Sequence, residues 1–131
     1  MSAPTLPDLS SRAAVEALVA DFYALARTDQ LLGPVFFGAL GDGDWLHHLE
    51  VVSNFWCTVL LGERSYPGGF MYKHLRLPLR TEHVERWVSL FSVLIVKSYA
   101  GPHTDEALRR VAIMREVLLT KLAARDGGSI V

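Results

Sequence analysis

The sequence predicts an all-α fold, and three observations carry that prediction. Every long apolar pattern recurs at three- and four-residue steps, the spacing of one helix face. No segment alternates apolar and polar residues convincingly enough to read as a strand. Glycine and proline gather between the periodic segments and divide the 131 residues into about four long helices and some short pieces.

The first helix shows its stripe in Val15, Leu18, Val19, Phe22 and Ala26, with Ser10 or Ser11 placed to cap its start. Gly33-Pro34 ends the pattern and opens a short turn carrying Phe36 and Phe37. Gly41 to Asp44 forms a loop, and Asp44 is a suitable cap for the second helix. There Trp45, His48, Leu49, Val52, Phe55, Trp56 and Val59 share a face, and Gly62 closes it. Pro67, Gly68, Gly69 and Pro78 leave room for at most one helical turn, around Phe70 to His74. The third long helix begins near Thr81 and directs Val84, Trp87, Val88, Phe91, Leu94 and Ile95 inward. After Gly101-Pro102, the residues Thr104, Asp105 and Glu106 begin the last helix with an acidic first turn that suits its dipole. Its inner face is Leu108, Val111, Ala112, Leu118 and Leu122. One domain over residues 1–131 is expected, with 1–9 a flexible leader and 126–131 a flexible tail.

Composition narrows the function. Thirteen basic and fourteen acidic residues give a formal charge of −1, which lacks the basic excess of a nucleic-acid binder. Half the chain is hydrophobic, enough to bury a core and to enclose a flat apolar cofactor. The longest apolar stretch, Val88 to Val96, is far short of the roughly 20 residues of a membrane span. Residues 1–9 do not read as a signal peptide, and the lone Cys57 excludes an internal disulfide. A cytoplasmic protein with a buried structural thiol is expected.

Four residues stand out as polar groups in apolar company: Tyr23, His48, His74 and Trp87. A buried imidazole at His48 needs a partner or a cavity, because an unpaired polar group there costs a few kcal/mol, roughly. A histidine held among Leu75, Leu77, Pro78 and Leu79, as His74 is, can present one axial imidazole to a haem iron. Each also has an ordinary reading as a core or half-buried side chain. His47, His83 and His103 look like surface, helix-start and loop residues. No zinc-binding or hydrolase spacing is present, and no glycine-rich phosphate loop follows a strand.

The ordered set resembles a known family. Asp21-Phe22-Tyr23, Leu32-Gly33-Pro34-Val35-Phe36, and His48 through Asn54-Phe55-Trp56 are similar to the group III truncated haemoglobins. So are Leu61-Gly62, Lys73-His74-Leu75-Arg76-Leu77-Pro78 and the helix of Trp87. The likeness runs from about Leu18 to Leu122. It implies a two-over-two helical sandwich, a truncated globin with a loop-like proximal segment, and a haem b cofactor (iron protoporphyrin IX). By position it makes His74 the metal ligand, puts Tyr23, His48 and Trp87 on the distal side, and packs Phe36 against the haem. Val52, Phe55 and Trp56 would line the distal side or adjoining core. Gly68-Gly69 departs from the family, whose members lack paired-glycine motifs, although its surroundings do not resemble those motifs. Lys73, Arg76 and Arg80 are near His74 in sequence but read mainly as surface charges, so propionate partners are unassigned.

The function implied is binding of O2, with NO, CO or peroxide as related ligands. Several distal donors would slow O2 release, which suits turnover such as nitric-oxide dioxygenation or peroxide reduction better than delivery. An oxidoreductase role would need an external electron donor, and the sequence leaves it open. His48 could donate to ligand, ligate the iron or gate entry, and the gate is favoured because Tyr23 and Trp87 already supply donors. A haem-based sensor or carrier acting through protein contacts, and a cofactor-free helical interaction domain, are the rival readings.

Overall fold

The computed structural model describes residues 5–35, 45–66, 68 and 78–127. Four long helices appear among them: α1 (Arg12–Thr28), α2 (Trp45–Leu61), α3 (Thr81–Ser98) and α4 (Pro102–Gly127). Helix α1 packs along α2 and α3 along α4, while α1 crosses α3 and α2 touches α4. Two helices over two is the predicted architecture.

Each helix has a local reason to begin or end where it does. Ser11 caps α1 by accepting the Ala14 N–H at 3.1 Å, and all of Val15, Leu18, Val19, Phe22 and Ala26 are buried. Asp29 ends α1 and starts the helical turn at 32–35, its Oδ2 accepting from Leu31 and Leu32 N–H at 3.1 and 2.9 Å. A side chain at Gly33 would place Cβ 2.8 Å from the Arg27 carbonyl, so the chain needs glycine there. Gly62, with φ +74°, closes α2, and Glu63 N–H donates to the Cys57 carbonyl at 3.4 Å.

One aromatic residue organises the core. Phe91 of α3 stacks on Trp56 at 5.4 Å and on Trp87 at 5.6 Å, and it meets Phe22 edge-on at 4.8 Å. Such pairs contribute roughly 0.5–1.5 kcal/mol each beyond their buried area. A smaller cluster of Leu79, Val84, Leu118 and Leu122 fastens α3 to the far half of α4.

Several expectations are corrected. Residues 1–9 do not end as a free leader: Leu9 is fully buried, and Asp8 is hydrogen-bonded to the first turn of α4. Helix α4 runs through Asp126 to Gly127. Helix α4 starts at Pro102, where a missing N–H is harmless, and His103 is therefore helical and not in a loop. On α4 Ala112 is exposed, whereas Ala107 and Met114 are buried. The expectations for Phe36, Phe37, Asp44 and the turn around Phe70 to His74 fall outside the described residues.

Candidate functional site

Tyr23 lies on the buried stripe of α1, and its hydroxyl is 3.2 Å from Nε2 of His48 on α2. The two rings meet edge-on with centroids 5.1 Å apart. Burial pushes the Tyr23 phenol well above its ordinary range, so it keeps its proton at any physiological pH. His48 is half-buried, and it shares one α2 face with Val52, Phe55 and Val59, all half-buried. Val52, Phe55 and Trp87 pack against the core cluster that contains Tyr23.

Trp87 enters from α3, half-buried and stacked on Phe91, which Phe22 links to Tyr23. Of the predicted site residues, Tyr23, His48, Val52, Phe55 and Trp87 thus gather around one face of α2 and the adjoining part of α3. His74 and Phe36 lie outside the described residues.

The chemistry of this donor set fits a haem side better than a bare cation. The three polar groups are a phenol, an imidazole and an indole, the first two in contact, with half-buried Val52 and Phe55 on the same α2 face as His48. Among the described residues no cluster of three or more His, Cys, Asp or Glu side chains is placed to hold a metal ion. A flat apolar group against Val52 and Phe55, with a small polar ligand facing Tyr23 and Trp87, would use all of these groups.

Sequence reasoning missed several side chains that shape the site's surroundings. His83, read as an ordinary helix-start residue, is buried and accepts the Arg80 backbone N–H on Nδ1 at 2.9 Å. Burial, followed by the Arg80 charge, lowers its basicity and favours this neutral form. It is committed to the start of α3 and is not available as a ligand. Arg12, also unremarked in the sequence, joins α1 to the end of α2 through Glu63 and Asn54. Its signal is only an arginine beside an N-cap serine. Cys57 is buried, as expected, and burial pushes its thiol up.

A compact helical protein with a tyrosine–histidine pair beside an apolar helix face is built like a small haem-binding globin. No family model matches the chain. It is 34% identical over 108 residues to the group 3 truncated hemoglobin of Campylobacter jejuni, covering 80% of this chain and 81% of that protein. The crystal structure of a group III truncated hemoglobin from Campylobacter jejuni superposes with a TM-score of 0.79 at 31% identity, covering 93% of this chain and 95% of that one. The chain belongs to the group III truncated haemoglobins. Membership implies a haem cofactor and small diatomic ligands. No helix among the described residues is long and apolar enough to cross a membrane.

Proposed function

We propose that the protein binds O2 and related diatomic ligands on haem b, with His74 as axial ligand and Tyr23, His48 and Trp87 on the ligand side. The observation that carries this reading is the Tyr23–His48 pair, 3.2 Å apart and set among apolar residues. A non-covalent haem suits a chain whose single cysteine, Cys57, is buried and has no second cysteine for a thioether pair. The haem, when bound, supplies an iron that takes a diatomic ligand and shares electron density with it.

The chain's own residues decide how long the ligand stays. Tyr23 O–H and Trp87 N–H can donate to a ligand atom carrying partial negative charge, each contributing on the order of 1–3 kcal/mol. Val52 and Phe55 would exclude water, and by its family position Phe36 would pack against the haem. His48, half-exposed beside Tyr23, controls entry. Slow release suits redox turnover: NO, O2 and one electron combine to nitrate, the electron coming from an external donor.

A Soret band in the purified protein, followed by stopped-flow kinetics, tests this. Tyr23→Phe or Trp87→Phe should speed O2 dissociation by about 10- to 100-fold, the loss of roughly 1.4–2.7 kcal/mol. CO, less negatively charged when bound, should change much less; equal changes would replace donation by a steric effect. His48→Leu should alter O2 association more than dissociation.

A further inference from the structure

After α2 the chain turns back along the helix it has just left. Gly62, with φ +74°, makes the reversal. Ser65 then stands beside Asn54, its Oγ donating to the Asn54 carbonyl at 3.4 Å. Tyr66 stands beside Phe55, the two rings edge-on with centroids 5.2 Å apart. Arg12 of α1 fastens this return: its Nη2 lies 2.8 Å from Glu63 Oε1, 2.9 Å from Asn54 Oδ1 and 3.3 Å from Ser65 Oγ.

Phe55 is the side chain on which the return bears. It shares an α2 face with His48 and Val52 and, like them, is half-buried. A phenylalanine on a helix has two allowed χ1 wells, and a half-buried one is not confined by the core on every side. Two rings flank it here, Trp56 edge-on at 5.3 Å and Tyr66 edge-on at 5.2 Å. Trp56 is its neighbour on the same helix and is buried in the core. Tyr66 comes from outside the helix, so its place is set by the course of the chain after Gly62. An edge-to-face ring pair biases a rotamer balance by about 2- to 10-fold.

We propose that Tyr66 is a positioning residue for the cofactor wall: its ring holds Phe55 in one rotamer, so that the α2 face is already shaped when haem enters. The inference rests on the reading above that Phe55 lines the haem site. The ring performs this role and the hydroxyl does not, because the contact with Phe55 is between rings.

The test uses the holoprotein and the rate of haem transfer to an excess of apomyoglobin, in a double-mutant cycle of Phe55 and Tyr66. Tyr66→Leu should speed haem loss by about 2- to 10-fold, the bias of one ring pair. Tyr66→Phe keeps the ring and should retain the wild-type rate. Phe55→Leu should also speed haem loss, and adding Tyr66→Leu to it should change nothing further, because the partner through which Tyr66 acts is then gone. Glu63→Ala loosens the return without touching either ring; it should give part of the same effect, and it carries the test if Tyr66→Leu does not fold. Unchanged haem loss in Tyr66→Leu and Glu63→Ala would overturn the proposal. So would additive effects in the cycle, since Tyr66 would then act on the fold independently of Phe55, and so would an equal loss in Tyr66→Phe. A wild-type protein that takes up haem and loses it no faster in Phe55→Leu would overturn the assignment of Phe55 to the wall, and the inference would fall with it. A wild-type protein that takes up no haem would overturn the functional reading itself.

Discussion

Two regions of the molecule use their polar groups in opposite ways. Where the N-terminal segment meets the start of α4, the chain satisfies its own chemistry. Asp8 Oδ1 accepts from Thr104 N–H at 2.7 Å and from its hydroxyl at 2.6 Å, and Oδ2 accepts from His103 N–H at 3.0 Å and Nδ1 at 2.9 Å. Thr104 Oγ1 accepts from Leu9 N–H at 3.4 Å, and Ala100 N–H donates to the Pro7 carbonyl at 3.0 Å. Even the space is taken, since a Cβ on Gly101 would come within 2.5 Å of the Asp8 side chain. At the Tyr23–His48 face, Tyr23 is buried, His48, Val52, Phe55 and Trp87 are half-buried, and the Tyr23 hydroxyl lies 3.2 Å from His48 Nε2. The first region is a dense set of carboxylate hydrogen bonds, and the second is one phenol–imidazole contact on a largely apolar helix face.

The largest expected effect falls on the residue proposed to hold the haem. His74→Ala should abolish haem retention, read as loss of the Soret band after gel filtration. His83→Ala should keep the haem, because that imidazole is already engaged by the Arg80 backbone N–H at 2.9 Å. Normal haem content and an unchanged ferrous spectrum in His74→Ala would remove the distinction between the two regions.

At the N-terminal corner the effect should be on stability. Burial by itself would raise the Asp8 pKa, but hydrogen bonds from Thr104 and His103 outweigh it and hold the carboxyl well below its ordinary range. A depressed folded pKa gives stability that is present above the unfolded value and is lost as pH falls toward the folded one. Asp8→Asn should therefore cost about 2 kcal/mol at pH 7, in line with removing charge-assisted bonds. The gap between wild type and variant should narrow as pH drops below the ordinary carboxylate value. Urea titrations at pH 7 and at pH 3 measure this, and a gap that widens in acid would contradict it.

The same comparison explains what could be read from the sequence. The stripe from Val15 to Ala26 is strictly periodic, and burial follows it residue for residue, Tyr23 included. The family likeness then picked out Tyr23, His48 and Trp87, and the structure brings the first two into contact. Long-range polar pairs were not legible. Nothing local to Asp8 announces Thr104, and nothing local to Arg12 announces Glu63, since one carboxylate in a chain looks like another. The leader was misjudged for that reason: Leu9 is held by contacts made at the opposite end of the sequence. On α4 the pattern misplaced Ala112, because alanine is equally at home on either face and gives no phase.

The smallest expected effect lies between the two regions, at Thr58 on α2. Its hydroxyl oxygen is buried and has no hydrogen-bond partner among the described residues. In a helix a threonine hydroxyl ordinarily bonds back to the carbonyl four residues earlier, here Asn54. That carbonyl already receives Ser65 Oγ at 3.4 Å, at the junction Arg12 holds together. Valine has the same shape as threonine without the oxygen, and both are stiff at the same torsion. Thr58→Val should thus remove an unanswered polar group without opening a cavity and stabilise the protein by about 0.5–1.5 kcal/mol. Thermal unfolding with and without haem measures the change. A gain in both forms makes Thr58 an isolated cost of the fold. A gain only in the haem-free form would mean that the hydroxyl finds a partner when haem is bound, and would tie Thr58 to the haem site.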